Sequence, residues 1–545
     1  MNKNKKIILS IVLGVLVAAV GFYVALPAIN PENVGFWVYL AVVIAAFGAP
    51  FMFAKSYTRA NGTSNRAGQA HVSVNFKANK ILVLAIIAPI AFALLGGILS
   101  SEIFNAKAYS SVITVTEAVF EEDMKETNEV TNIALMDSAS TQAIGNRTLG
   151  ALSDVVSQYE IGGRYTQINY HGAPKKVANL EYADFFKWFM NRDNGVPGYV
   201  MVDPVGSSAE YVKLDKPLKY VDSAFFGEDL TRKLRFDYPT KIFDFISYEI
   251  DEQGNPYYIV SCLKASVFPF GAMDVNEVII FDPCTGDSTL YDIEDVPAWV
   301  DTVYSGDLAE QKYNWHGMLS GGYINSLIGN KGCKRTTQDY GYIVIGDDVW
   351  YYTGVTSVTS DESNIGFIIT NARTGEYKYY PVVGAEEYSA MSAAEGEVQE
   401  KNYEASFPSL INVSGEATYI MVLKSQSGIV ELYALVNVEN YSIVATGETQ
   451  VLAMKAYKKL LAQNGITGGS QPSETLNVAE ITVESVRDVV VDGNTVVYIT
   501  GSDGYVYRGE IADDESLVLI NEGDSIKVYY SVTLTDKIRN IEKYE

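Results

Sequence analysis

The chain has 545 residues, 48% of them hydrophobic and 20% charged, a composition that excludes a disordered polymer and, at this length, a single core. Its formal charge of −25 is uneven: residues 1–80 carry eight Lys/Arg and one acid, Glu32, leaving 33 basic against 65 acidic residues after Lys80, a balance of −32. So acidic a remainder argues against nucleic-acid binding, which needs clustered Lys and Arg to neutralise phosphates.

Three apolar spans open the chain, at 7–29, 36–54 and 81–100. The third has twenty residues without a charge, and a helix of that length crosses a hydrocarbon core of about 30 Å. Lys3, Lys5 and Lys6 precede the first span, and the connector 55–80 carries Lys55, Arg59, Arg66, Lys77 and Lys80 without an acid. The positive-inside rule therefore predicts a cytoplasmic N-terminus, a cytoplasmic loop 55–80, and an extracytoplasmic segment 101–545 at a bacterial cell membrane, with membrane lipid as one partner. A cleaved signal peptide shares the Lys-rich start, but VALPAIN shows no clear small-residue cleavage site and two more spans follow, so the first span is read as retained. Pro89 predicts a kink in the third helix, which alone implies no gating.

Residues 101–130 read as an acidic juxtamembrane connector, with VFEEDMKE predicted helical. A first α+β unit is expected over 131–245, with Asp137 or Ser138 capping a helix and the five aromatics of YADFFKWF packed in its core. From there a pattern recurs: a strand, a turn bearing Asp or Asn, and a second strand carrying Tyr, at Asp203, Asp282, Asn371 and Asn437. Asp and Asn suit such turns because they bond to the backbone two residues on, and Gly takes the positive φ. Apolar strands from Tyr257, Val349 and Thr418 precede the last three copies, and helical stretches from Val296, Glu386 and Thr449 follow them. The expected architecture is α+β: a second unit over 246–340, a third and fourth over 341–462, each an antiparallel sheet with a covering helix.

The D-x-x-T-G turns, Asp282-Pro-Cys-Thr-Gly286 and Asn371-Ala-Arg-Thr-Gly375, resemble those of PepSY-type extracytoplasmic domains. The match departs at Asp203, where the Thr is missing and Gly comes one residue early, and at Asn437, where both are missing. The resemblance implies binding or inhibition of a partner and carries no catalytic residue. More broadly, ALMDSAS, VVSQYEI, GVPGYVMVDP, GVTSVTSDESNIGF and EEYSAMSAAEGEVQ resemble a family of membrane-anchored proteins of gut Gram-positive bacteria over about residues 130–462, which implies a location but no activity.

AQNGITGGSQPSET marks a linker over 463–475. Residues 476–545 then alternate apolar and polar positions, with turns at Asp492-Gly493-Asn494 and Ser502-Asp503-Gly504, and predict a small closed β-barrel of OB or SH3-like type. Tyr505 and Tyr507 on its strands are read as packing rather than as a ligand platform.

Candidate chemistry is sparse, and the catalytic, cofactor and metal assignments are all none. Ser261-Cys-Leu-Lys264 matches S-x-x-K but falls on a predicted strand, whereas that serine chemistry needs a helix start. His71, His171 and His316 lack the close spacing of a zinc site, and the two later ones read as turn residues. Glu121, Glu122 and Asp123 read as a solvated run, with Asp361 and Glu362 as a better loop candidate for a cation. Three cysteines, Cys262, Cys284 and Cys333, allow one bridge. A hairpin centred near Phe270 sets Cys262 opposite position 278, which argues against Cys262–Cys284 and favours a bridge to Cys333. The leading expectation is a non-enzymatic binding, scaffolding or inhibitory module with a protein or envelope component as partner. The alternative is an envelope hydrolase using carboxylates such as Asp361 and Glu362 or Glu386 and Glu387.

Overall fold

A computed structural model describes residues 3–56, 71–74, 80–127 and 133–543, apart from 134, 137, 207, 359, 427, 467–476, 492–493, 512–514 and 532–536. The chain forms two compact units, Met1–Ile466 and Thr467–Glu545.

The first unit begins with α1 (Lys3–Ala25), α2 (Val34–Met52) and α3 (Lys80–Leu99), three helices long and apolar enough to cross a membrane. The first ends at Ala25 rather than at residue 29, because Pro27 lacks an amide and disfavours a helical residue before it. Small residues let the helices approach: Phe47 covers Gly14 and Leu82 covers Gly48 so closely that a Cβ would collide. Outward positions such as Ile81 and Leu84 stay exposed, as a lipid-facing surface requires. β1 (Phe53–Ser56) leaves α2 and pairs antiparallel with β2 (His71–Val74), so the basic connector contains a strand pair.

From the other end of the helices the chain enters the body through α4 (Glu102–Ser110), β3 (Val115–Glu117) and α5 (Phe120–Asp123). Next come α6 (Ser138–Gly150) and α7 (Ser153–Val156); the expected Asp137 cap lies outside the described residues. The first sheet has the order β4 (Tyr159–Ile161), β6 (Ala173–Tyr182), β7 (Val196–Asp203), β8 (Ser208–Leu218), with β5 (Thr166–Tyr170) also on β6. Between β6 and β7 lies α8 (Phe185–Asn191), capped by Asp184, which accepts from the amides of Phe186 and Lys187. The aromatic cluster expected in the core is only partly there: Trp188 is 2% exposed, but Phe186 is 71% and Phe189 56% exposed. On a helix of two turns with i, i+1, i+4 aromatics, one face alone can turn inward.

After α9 (Leu230–Asp237), the second sheet runs β12 (Ser288–Asp292), β11 (Gly271–Phe281), β10 (Pro256–Val267), β9 (Ile242–Ile250). The hairpin turns at residue 269 rather than 270, with Val267 opposite Gly271, and a bulge after Cys262 then sets that residue opposite Glu277, not position 278. All three cysteines are free, so the expected bridge to Cys333 is not formed. The stretch from Val296, expected to be helical, is instead a loop whose Val300, Val303 and Tyr304 are buried. The helix is delayed to α10 (Gly306–Leu319), where Ser305 accepts from the Leu308 amide.

The third sheet orders β13 (Lys334–Thr336), β15 (Asp348–Ser357), β16 (Ser360–Asn371), β17 (Tyr377–Tyr380) and β3, with β14 (Gly341–Ile345) on β15 and β18 (Gly384–Ala385) on β16. The β17–β3 pair is parallel, so part of the expected connector completes a sheet. α11 (Glu387–Glu397) follows, burying Ala390 and Ala394. The fourth sheet orders β19 (Glu404–Ala405), β21 (Glu416–Lys424), β22 (Val430–Asn437), β23 (Val444–Gly447), with β20 (Ser409–Val413) on β21. α12 (Gln450–Gln463), capped by Thr449, covers it with Ala453, Met454, Tyr457 and Leu461.

In the second unit β24 (Asn477–Val491), β25 (Asn494–Gly501), β26 (Val506–Glu510), β27 (Ser525–Ser531) and β28 (Lys537–Lys543) close a barrel in the order β24-β25-β26-β28-β27.

Candidate functional site

A cavity of about 550 Å³ opens in the first unit where three sheets present strand edges to one another. Its walls come from Gln167 on β5, the Ala173–Lys175 segment, the Asp203 turn, Tyr342–Gly346 on and after β14, Ser409–Asn412 on β20, and Asp123–Thr127 after α5. β5 pairs with β6 alone and β14 with β15 alone among the described strands, so these two offer the cavity an unpaired flank, whereas the outer flank of β20 is met by the segment after α5, where Asn412 bridges Glu126 and its carbonyl accepts from the Thr127 amide at 2.8 Å.

The polar groups of this wall divide into satisfied and unsatisfied. Asn412 is committed, donating to the Met124 carbonyl (2.8 Å) and accepting from the Gly415 amide (3.0 Å). Asp123 accepts from Lys378 and from the Tyr380 hydroxyl (3.0 Å), so it is not the solvated acid expected, while Glu121 and Glu122 are exposed. Lys175 pairs with Asp203 at 2.9 Å. Burial alone pushes the Asp203 carboxyl up, but the Gly206 and Val205 amides and the Lys175 ammonium together leave it below the ordinary carboxylate value. Gln167 is different. It is 4% exposed, and both its carboxamide Oε1 and Nε2 lack a hydrogen-bond partner. An unpaired buried amide costs free energy, and this one lies in the cavity wall with its donor and acceptor unused and closed to water.

The residues singled out by sequence lie elsewhere. Ser261 is buried on β10 with its hydroxyl donating to the Val303 carbonyl, whereas Lys264 is exposed, so the two do not meet. His171 does sit at a turn, with φ +54° and Nε2 3.0 Å from the Glu252 carbonyl. His316 does not; it lies in α10, its Nδ1 2.9 Å from the Ser110 carbonyl. The His71 side chain is outside the described residues. Asp361 and Glu362 belong to β16 rather than to a loop, and their side chains are not among those described. Glu386 stands at the N-terminal boundary of α11 without a capping hydrogen bond from its side chain, while Glu387 is fully buried, accepting from the Thr337 hydroxyl (2.9 Å) and the Gly354 amide (2.7 Å). Neither lines the cavity. Among the described residues, no group of three His, Cys, Asp or Glu side chains converges as a metal site would need. In the barrel Tyr507 is packed, while Tyr505 is 61% exposed.

A second polar cluster escaped sequence reasoning. Glu249 on β9, fully buried, accepts from the Asp301 and Thr302 amides (2.8 and 3.0 Å) and the Ser247 hydroxyl (3.0 Å), and Asp301 accepts from the Asn169 amide (2.8 Å). Burial raises both carboxyls, and for Asp301 the nearby Glu249 charge adds to it. The Val303 and Tyr304 amides continue to the Ala372 carbonyl, so this loop ties the first three sheets together. Only the alternation of Ser247 and Glu249 on one strand hinted at it, and alternation alone would have put them on a wet face. No protein-family model matches the chain, and a comparison with curated proteins finds no match.

Proposed function

We propose that the chain is a membrane-anchored, non-enzymatic binding module of the bacterial cell envelope, which takes an extended segment of a protein or envelope peptide into the Gln167 cavity. The observation that carries this reading is the unpaired Gln167 carboxamide between strand edges. A peptide group has the matching donor and acceptor, and strand edges are natural docking lines for an extended chain. The described residues that line the cavity include no His or Cys, and its two carboxylates are engaged, Asp123 by Lys378 and Tyr380 and Asp203 by Lys175, which favours binding over acid and base chemistry.

The outward orientation is supported by charge: the basic connector leaves the membrane helices at one end and the acidic body at the other. PepSY-like character is supported by turn chemistry, since Asp282 accepts from the Cys284 and Thr285 amides and Asn371 from those of Arg373 and Thr374. An OB-type barrel is the reading favoured by the strand order, in which β26 and β28 pair in parallel.

The test is thermal unfolding of the full chain in detergent with pools of acetylated, amidated tetrapeptides. At least one pool should raise the midpoint of the wild type, by about 3 kcal/mol of stabilisation at a hundredfold excess over Kd. Gln167→Leu should abolish that shift. It should also stabilise the unliganded protein by about 1 kcal/mol, because two orphaned polar atoms are removed. No responding pool, or a response that survives in Gln167→Leu, rejects the reading.

A further inference from the structure

The face of α8 turned away from the core is one of the most apolar exposed surfaces of the body, and a run of contacts through Phe226 and Arg232 links it to the end of a membrane helix. Phe186, Phe189 and Met190 are 71%, 56% and 63% exposed, and Phe226, in the 3-10 turn Phe226–Glu228, is 58% exposed. Trp188 joins the two, its ring 5.7 Å from Phe226. Beyond Phe226 the contacts continue without a break. Arg232 donates to the Phe226 carbonyl at 2.8 Å and lays its guanidinium 4.5 Å from the centre of the Tyr23 ring. Phe236, itself 52% exposed, meets Phe22 with centroids 5.3 Å apart. Phe22 and Tyr23 belong to the last turn of α1, where that helix reaches the limit of the apolar span.

We propose that this patch lies in the headgroup region of the membrane that α1 crosses, as an in-plane anchor formed by α8, the Phe226 turn and α9. The inference rests on the membrane anchoring of the three helices and fixes what covers the patch: lipid. Phe and Met side chains suit that depth as the apolar face of an interfacial segment, which sinks to the boundary between headgroups and acyl chains. The cations are suitably placed. Lys187 sits on α8 and Arg192 directly after it, with its guanidinium 5.4 Å from the centre of the Phe189 ring, and Arg232 borders the patch. In a chain of net charge −25, cations beside exposed aromatics form the snorkelling pattern of an interfacial segment. Two of the acids beside them are occupied, since Asp184 caps α8 and Glu228 accepts from the Trp188 indole at 3.0 Å, while Asp193 next to Arg192 is exposed. The far side of the helix bundle repeats the arrangement. There Ile103 and Phe104, in the first turn after α3, are 53% and 63% exposed, and Phe270 of the β10–β11 turn packs on Phe92 at 6.1 Å.

The test uses the full chain in vesicles of phosphatidylethanolamine and phosphatidylglycerol, with a nitroxide at one site and the ratio of oxygen to nickel-chelate accessibility as readout. Cys284→Ser removes the half-exposed thiol, while Cys262 and Cys333 are buried. Leu16→Cys on α1 reports whether the helices are in lipid, and Glu400→Cys gives the aqueous baseline. Phe189→Cys should show a ratio several-fold above Glu400→Cys and below Leu16→Cys. A Phe189→Cys ratio at the aqueous level while Leu16→Cys is lipid-exposed overturns the patch proposal alone. Dipolar broadening between Phe189→Cys copies overturns it in favour of a second copy of the chain. A low ratio at Leu16→Cys overturns the membrane anchoring on which it rests.

Discussion

Glu387 is a single ionisable group that sets a property of the whole first unit. Burial pushes its carboxyl up to about 7, outweighing hydrogen bonds from its own amide, the Thr337 hydroxyl and the Gly354 amide. The folded state thus holds the proton more tightly than the unfolded chain. Stability from this group is complete below about pH 4.5, falls as pH rises through about 7, and is level above that. The loss across that window is about 3 kcal/mol. Glu387→Gln keeps an acceptor for the Gly354 amide and cannot ionise, so denaturant titrations at pH 5 and pH 8 should differ by about 3 kcal/mol less than in the wild type. An unchanged pH slope would show that Glu387 is ionised in the fold without penalty. The turn glycines act at the same scale. Gly286 and Gly375 have φ of +82° and +70°, and a Cβ at either would lie within 3 Å of a ring, of Tyr220 and Tyr304 respectively. Gly375→Ala should therefore lower stability by more than the roughly 1 kcal/mol of a glycine-to-alanine strain alone, read from the chemical midpoint.

At the scale of elements, strands and capped helices were legible and their environments were not. α11 and α12 follow residues that the sequence marks, and the strands from Tyr257, Val349 and Thr418 are β10, β15 and β21. The helix expected at Val296 failed because burial of Val300, Val303 and Tyr304 requires only apolar spacing, which a packed loop satisfies as well as a helix. The α8 aromatics failed for a related reason: five aromatics in eight residues look like core unless a membrane is there to cover them. The candidate site was invisible because Gln167, Asp203, Tyr342 and Ser409 are brought together from distant strands, and no local spacing records that. The seam between body and bundle gives a prediction for an element. Gly96 of α3 has no room for a Cβ, which would lie 2.8 Å from atoms of Pro269 and Phe270 at the β10–β11 turn. Gly96→Val should lift that turn from the helix and raise amide exchange over residues 264–274 several-fold, leaving the exchange of β20–β22 unchanged. Unaltered exchange at 264–274 would mean that the turn does not depend on the helix.

For the molecule as a whole, the two units have separate cores. The barrel buries Ile481, Val483, Val497, Ile499, Ile526 and Val528 among themselves, with the Tyr507 and Tyr530 rings edge to face, centroids 5.1 Å apart. A unit of 79 residues is near the lower size at which one core suffices, burying about 60% of the surface of its unfolded chain. Closure lessens its dependence on a partner, because a barrel leaves no long strand edge unpaired. All five tryptophans, Trp37, Trp188, Trp299, Trp315 and Trp350, precede the barrel. Tryptophan fluorescence of the full chain therefore reports the first unit alone, while far-UV circular dichroism reports both. Independent units predict non-coincident transitions by the two probes. They also predict that residues 467–545, expressed alone, unfold cooperatively at the midpoint of the transition seen by dichroism but not by fluorescence. Coincident transitions in the full chain, or an isolated fragment without a cooperative transition, would show that the barrel needs the rest of the chain to fold.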